Sequence, residues 1–144
     1  MALLTGLLVA PVSLAAAEDV AQVKRLSGQV RVERERRTLP AVVGMKLQPG
    51  DVVVTGRDGA VGITFHDDSL LSAGPDSALA IDRFAFDTTT HDGRFETTLQ
   101  RGTLAVVSGK IAKHAPDAMR VRTPSTVLGV RGTEFLVRVG APAQ

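Results

Sequence analysis

The chain has 144 residues, 17 Lys and Arg against 15 Asp and Glu, a net charge of +2 and no cysteine. This length fits one domain with a real core, and near-balanced, interspersed charge is a poor basis for holding nucleic acid by its phosphates. Without cysteine there is no disulfide framework, thiol nucleophile or site for lipid attachment. With five Phe but no Tyr or Trp, platforms for stacking sugars or unpaired bases are nearly missing.

In chain order, residues 1–17 carry no charge, and Pro11 and Ser13 break their apolar run ahead of Ala15-Ala16-Ala17. This is the layout of an apolar signal region followed by a small-residue cleavage site. A membrane span needs about 20 mostly apolar residues, and Glu18 and Asp19 stop this run short. A cleavable secretory signal over 1–17, lying as a helix outside the fold, is therefore expected, ahead of an uncleaved anchor or a buried helix. The basic residue that normally opens such a segment is missing, and a translation start farther upstream would supply it. The expected location is the bacterial periplasm or beyond, with no stable membrane span after cleavage.

From Glu18 on, Gly, Pro and Asp punctuate stretches of alternating aliphatic residues such as "QVRVE", "DVVVT", "AVGITF" and "ALAIDRF". This predicts an all-β domain over 18–139, with short strands in a solenoid-like or sandwich arrangement, and a fraying tail over 140–144. Val61, Ile63 and Phe65 recur with period two, and Asp67-Asp68 closes that strand as a turn. "ERERRTLP" (33–40) and "DTTTHDG" (87–93) read as loops. The cluster Arg31–Arg37 is interleaved with Glu33 and Glu35 and reads as a solvated, self-paired strand or turn. Arg101-Gly102 stands between two candidate strands as a hairpin or a corner. The one helical candidate is short, Ile111–Ala115, between Gly109 and Pro116.

Residues for catalysis are sparse. His66, His91 and His114 lie far apart and form no paired-histidine metal motif. The glycine pairs in "GRDGAVG" and "LGVRG" do not open a helix after a buried strand, so they offer no phosphate cradle. His66-Asp67-Asp68-Ser69 is the densest polar group; it reads as a turn, with a general-base or cation site as the competing reading. No metal or cofactor is expected.

The most distinctive stretch is "MRVRTPSTVLGVRGTEFLVRV", Met119 to Val139. Pro124 lacks an N–H and pushes Thr123 toward an extended conformation, which makes a sharp strand end. Gly132 allows a bulge, after which Thr133, Phe135 and Val137 share one face opposite Glu134, Leu136 and Arg138. With apolar residues on both faces, this last strand is expected to be central. Arg131 and Glu134 are placed to pair across the bulge.

That stretch resembles the carboxy-terminal signature of FecR domains, a Thr-Pro turn followed by an "RGT-E-F-x-V" strand. Leu47–Ile81, Leu99–Lys110 and Val23–Val32 are similar to the family's earlier strands, although Asp67-Asp68-Ser69 replaces its usual Asp-Gly-Ser turn. The resemblance implies a strand-rich domain in which Thr123, Pro124, Arg131, Gly132, Thr133 and Phe135 serve the architecture. In its best-known setting that domain is the periplasmic part of a signalling protein with an anti-sigma segment and a membrane helix. Neither part is visible in this sequence, so a standalone, secreted module is expected. The function expected is non-catalytic binding or scaffolding in the envelope, with envelope proteins or cell-wall material as partners and strand addition as the mode. The alternatives are an envelope hydrolase acting through His66, Asp67 and Asp68, and a partner-dependent signalling component.

Overall fold

The computed structural model describes residues 5–9, 18–130 and 134–140. The amino-terminal part of the domain holds β1 (Ala21–Ser27), β2 (Val30–Arg34), β3 (Arg37–Pro40), β4 (Lys46–Leu47) and β5 (Val52–Thr55). Next come β6 (Ala60–Phe65), β7 (Leu70–Ala73), β8 (Ala78–Phe86) and the long β9 (Gly93–Val107). After α1 (Lys110–His114) and a 3₁₀ turn at Pro116–Ala118 come β10 (Met119–Arg122), β11 (Val127–Gly129) and β12 (Glu134–Val139). The all-β class read from the sequence is what the chain adopts, and α1 falls where the short helix was expected. Within that class the twelve strands of the described residues form one sheet curled into a half-barrel, and among them every pairing is antiparallel except β10 with β9.

The curl has a local cause. β9 bends at Gly102, whose φ is +94°. Before the bend β9 pairs with β8 and β10; after it, with β7 and β12. One strand thus serves both halves of the sheet, which is how strands turn corners in folded-over sheets. A Cβ at Gly102 would overlap Ser77 Oγ and Cα, so the corner requires glycine for space as well as for φ. Arg101-Gly102 is therefore a corner inside one strand; the hairpin alternative is not formed.

Inside the curl, alternate side chains meet as one core. Strand β6 buries Val61, Ile63 and Phe65 and turns Gly62 and Thr64 outward, as the period of two requires. Phe65, Phe84 and Phe95 contact one another with ring centroids 4.4 to 5.5 Å apart, tilted or edge-on. Such geometry suits the ring quadrupoles.

The segment 33–40, read as a loop, is a tight hairpin. Arg34 faces Arg37, Glu33 faces Thr38 and Val32 faces Leu39. Leu39 is half-buried and the neighbouring Arg34 is fixed from below by Asp51, so tertiary contacts overrode a polar, turn-like text. Glu35 and Arg36 take φ of 47° and 65°, the primed turn that two-residue hairpins need but that favours Asn and Gly. Arg36→Gly is therefore expected to stabilise the domain by about 0.5–1 kcal/mol, seen as a raised urea midpoint with an unchanged slope.

The loop after β8, at 87–92, matches the loop expected there. Asp87 receives the Thr90 and Thr89 backbone N–H groups at 3.1 and 2.8 Å, and these bonds hold its carboxyl below the usual range. The depressed value means that the ordered loop is supported above the ordinary carboxylate range and loses that support as pH falls through the lowered value. Amide shifts of Thr89 and Thr90 should move together in an acid titration, and Asp87→Asn should abolish the movement.

Of the expected leader, residues 5–9 form no helix, and Leu7, Leu8 and Val9 lie exposed; the rest of 1–17 lies outside the described residues. Among the described residues no helix is long and apolar enough to cross a membrane.

Candidate functional site

The Thr-Pro turn joins β10 to β11. Thr123 donates its N–H to the Thr126 carbonyl at 2.8 Å, and the Thr126 N–H returns a bond to Thr123 Oγ1 at 3.1 Å. Pro124 sits between them, where a missing N–H costs nothing. The turn closes the β10–β11 hairpin and faces a cleft of about 710 Å³, within the range of ligand sites.

Gln100 and Arg101 at the β9 corner form one boundary of this cleft, and the 123–126 turn with Leu128 forms the second. The third is the consecutive run 136–140 of β12 and its end. Side chains alternate across a strand, so a cleft touching five successive positions beside the Val139–Gly102 pair meets β12 at its edge and carboxy-terminal end rather than over one face. That edge is open. Strand β12 pairs with β9 and with no other strand among the described residues. The expectation of a central strand is therefore corrected: β12 is an edge strand. Its apolar content on both faces misled because Val137 is buried and Phe135 half-buried, whereas Leu136 is 64% exposed.

The cleft also has a charge. Arg101 and Arg138 line it, no carboxylate does, and neither arginine joins an ion pair among the described residues. Backbone donors and acceptors left unpaired by any strand among the described residues, an apolar margin and two guanidiniums together suit an extended segment.

Of the motif residues singled out in the sequence, Thr123 and Pro124 line this cleft, and Phe135 lies in the strand beside it with its ring half-buried. Arg131, Gly132 and Thr133, with the bulge and the Arg131–Glu134 pair expected there, lie outside the described residues. Leu136, Arg138 and Arg101 were not singled out. The signal for Leu136 and Arg138 was their alternation with Glu134 on one face, which marks the face a residue takes and not whether the strand has a second neighbour.

The His66-Asp67-Asp68-Ser69 group does not converge. It forms the β6–β7 turn, with Asp68 at φ +68°. Asp67 and Ser69 turn inward and are fully buried, while His66 and Asp68 face solvent. Asp67 accepts the Ser69 N–H at 3.1 Å, the Ser69 hydroxyl at 2.8 Å and the Ile111 N–H at 3.3 Å. The Lys110 N–H bonds the Asp67 carbonyl at 2.7 Å, and the Gly109 N–H bonds Ser69 Oγ at 3.0 Å. The carboxylate is the staple that holds α1 against the sheet. Asp68 pairs with Lys110 at 3.0 Å on the surface. No three acidic or histidine side chains gather as a metal site among the described residues.

A second buried carboxylate, Asp51, accepts both arms of Arg34 at 2.8 and 2.7 Å and the Gln48 N–H at 2.8 Å. Donating to the Asp51 carboxylate holds the Arg34 guanidinium above its ordinary value, against the opposing effect of burial. Arg34 also donates to the Lys46 carbonyl at 3.0 Å, so the pair ties β2 to the turn before β5.

Fold and cleft together define a small all-β domain that presents an open strand edge. The chain matches the family described as FecR protein over residues 51–143, and it belongs to that family. The match takes in β5 to β12, the corner and the cleft; the likeness noted over Val23–Val32 lies outside it. No curated protein and no solved structure matches the chain.

Proposed function

We propose that this FecR-family domain is a non-catalytic binding or scaffold module of the bacterial envelope. It takes an extended segment of an envelope protein, or of cell-wall material, along the free edge of β12. The observation that carries this reading is the cleft at residues 136–140, where a strand edge and two arginines that have no partner among the described residues meet an apolar margin. Strand addition satisfies the edge's orphan backbone groups, and side-chain contacts in the cleft supply selectivity.

The test is cross-linking in intact cells with identification of co-purifying envelope proteins, alongside co-sedimentation with purified peptidoglycan. Leu136→Lys places a charge on the exposed edge, so melting stays within about 0.5 kcal/mol of wild type while capture is lost. Capture that survives Leu136→Lys overturns the edge reading. Alanine at the exposed His66 and Asp68 leaves capture intact; loss of turnover on cell-wall or ester substrates in those variants would replace this reading with the hydrolase.

A further inference from the structure

We infer that the strand β12 accepts most readily is the β12 of a second copy of this chain, antiparallel and centred on Leu136. The inference rests on the proposed reading that this edge takes a strand, and goes beyond it by naming that strand.

The argument is one of register. Two copies related by a two-fold axis through an antiparallel pair match residue i with residue j at a constant sum, and matched residues share a face. In β12, Glu134, Leu136 and Arg138 face outward, while Phe135 and Val137 turn toward the core. Centring on Phe135 would set Glu134 against Leu136 of the second copy. Centring on Val137 would set Leu136 against Arg138 of the second copy. Centring on Leu136 sets Glu134 against Arg138 twice, once on each side of the axis, with Leu136 against its own equivalent between them. The same register sets Phe135 against Val137 below and continues the inner apolar layer across the junction.

Neither Glu134 nor Arg138 is in an ion pair among the described residues. Leu136 is 64% exposed, and its cross-strand neighbour on β9 is the exposed Ala105. Farther along the same outer face, Leu70, 44% exposed, lies against Val107. The charges and the apolar margin of this edge are thus self-complementary in one register of the three. A six-residue edge is a small contact, so the association is weak and concentration-dependent. A second copy and a foreign segment compete for one edge, and self-pairing shields that edge from indiscriminate strand addition.

Sedimentation velocity over a concentration series tests the register. Wild type forms dimers as concentration rises. Glu134→Arg and Arg138→Glu each turn two opposite-charge pairs into two like-charge pairs and weaken association roughly tenfold. The double swap restores opposite charges and brings the affinity back to within about threefold of wild type. Since the chain has no cysteine, Leu136→Cys should oxidise to a disulfide-linked dimer faster than Val42→Cys, an exposed control in the β3–β4 connection, whose flanking strands do not pair with β12. A protein that stays monomeric throughout, or a double swap no better than the singles, overturns the inference. If wild type is monomeric while Leu136→Lys still abolishes envelope or peptidoglycan capture, self-pairing falls and the edge reading stands. If Leu136→Lys affects neither, both fall.

Discussion

Replacing Asp51 with alanine is expected to lower the unfolding free energy by about 3 kcal/mol, the low end for breaking a buried ion pair. The carboxylate is 1% exposed and holds both arms of Arg34 together with the Gln48 N–H. Removing it orphans that N–H and leaves a guanidinium without its counter-charge. The low end applies because the Arg34 side chain is 26% exposed and can still reach water. A loss of this size lowers the melting temperature by roughly 10 °C. The loss should persist in high salt, unlike any contribution from the exposed Arg31–Glu33 and Lys110–Asp68 pairs. Replacing both Arg34 and Asp51 with apolar residues should cost less than Asp51→Ala alone, since no charge is then stranded. A wild-type midpoint for Asp51→Ala in urea would show that the pair contributes nothing net.

The adjacent carboxylates of the β6–β7 turn should behave oppositely. Asp67→Ala removes the acceptor for two N–H groups and a hydroxyl, all buried, at about 1–3 kcal/mol per orphan with partial relaxation. A loss of about 3–4 kcal/mol overall is expected, with faster amide exchange in α1, because Asp67 is what docks that helix. Asp68→Ala removes a surface pair whose side chains are 46% and 68% exposed, and its effect should stay within a few tenths of a kcal/mol. Among the described residues every buried side-chain polar atom has a partner, the Asp67 carboxylate included. If Asp67→Ala melted like wild type yet lost a measured turnover, the residue would be a site rather than a staple.

The elements that were legible in the sequence are those governed by short-range periodicity. Val61, Ile63 and Phe65 gave both the strand and its buried face, and Gly109 and Pro116 bracketed the one short helix correctly. Alternation in 134–139 also gave the right faces for Phe135 and Val137. What failed depended on partners distant in sequence. The 33–40 segment became a hairpin through Leu39 and the Arg34–Asp51 pair, which spans 17 residues. Of the hairpin and corner open at Arg101-Gly102, the corner formed, because β9 continues into new neighbours instead of reversing.

The cleft was half legible. Thr123-Pro124 announced its turn by steric restriction, a property of the dipeptide itself. Nothing local announced that β12 lacks a second neighbour, since the same alternation serves an edge or a central strand.

Side-chain period and turn chemistry act over a few residues, so the all-β class, the faces of the strands, the turn at Thr123-Pro124 and the family were legible in the chain alone. That one strand bends through both halves of the sheet, that Asp51 and Asp67 are buried staples, and that β12 has no second strand beside it among the described residues emerged only in the folded molecule. Pairing, burial of charge and edge status are set by which distant segments meet, and that follows from the packing of the whole curl rather than from any one stretch of it.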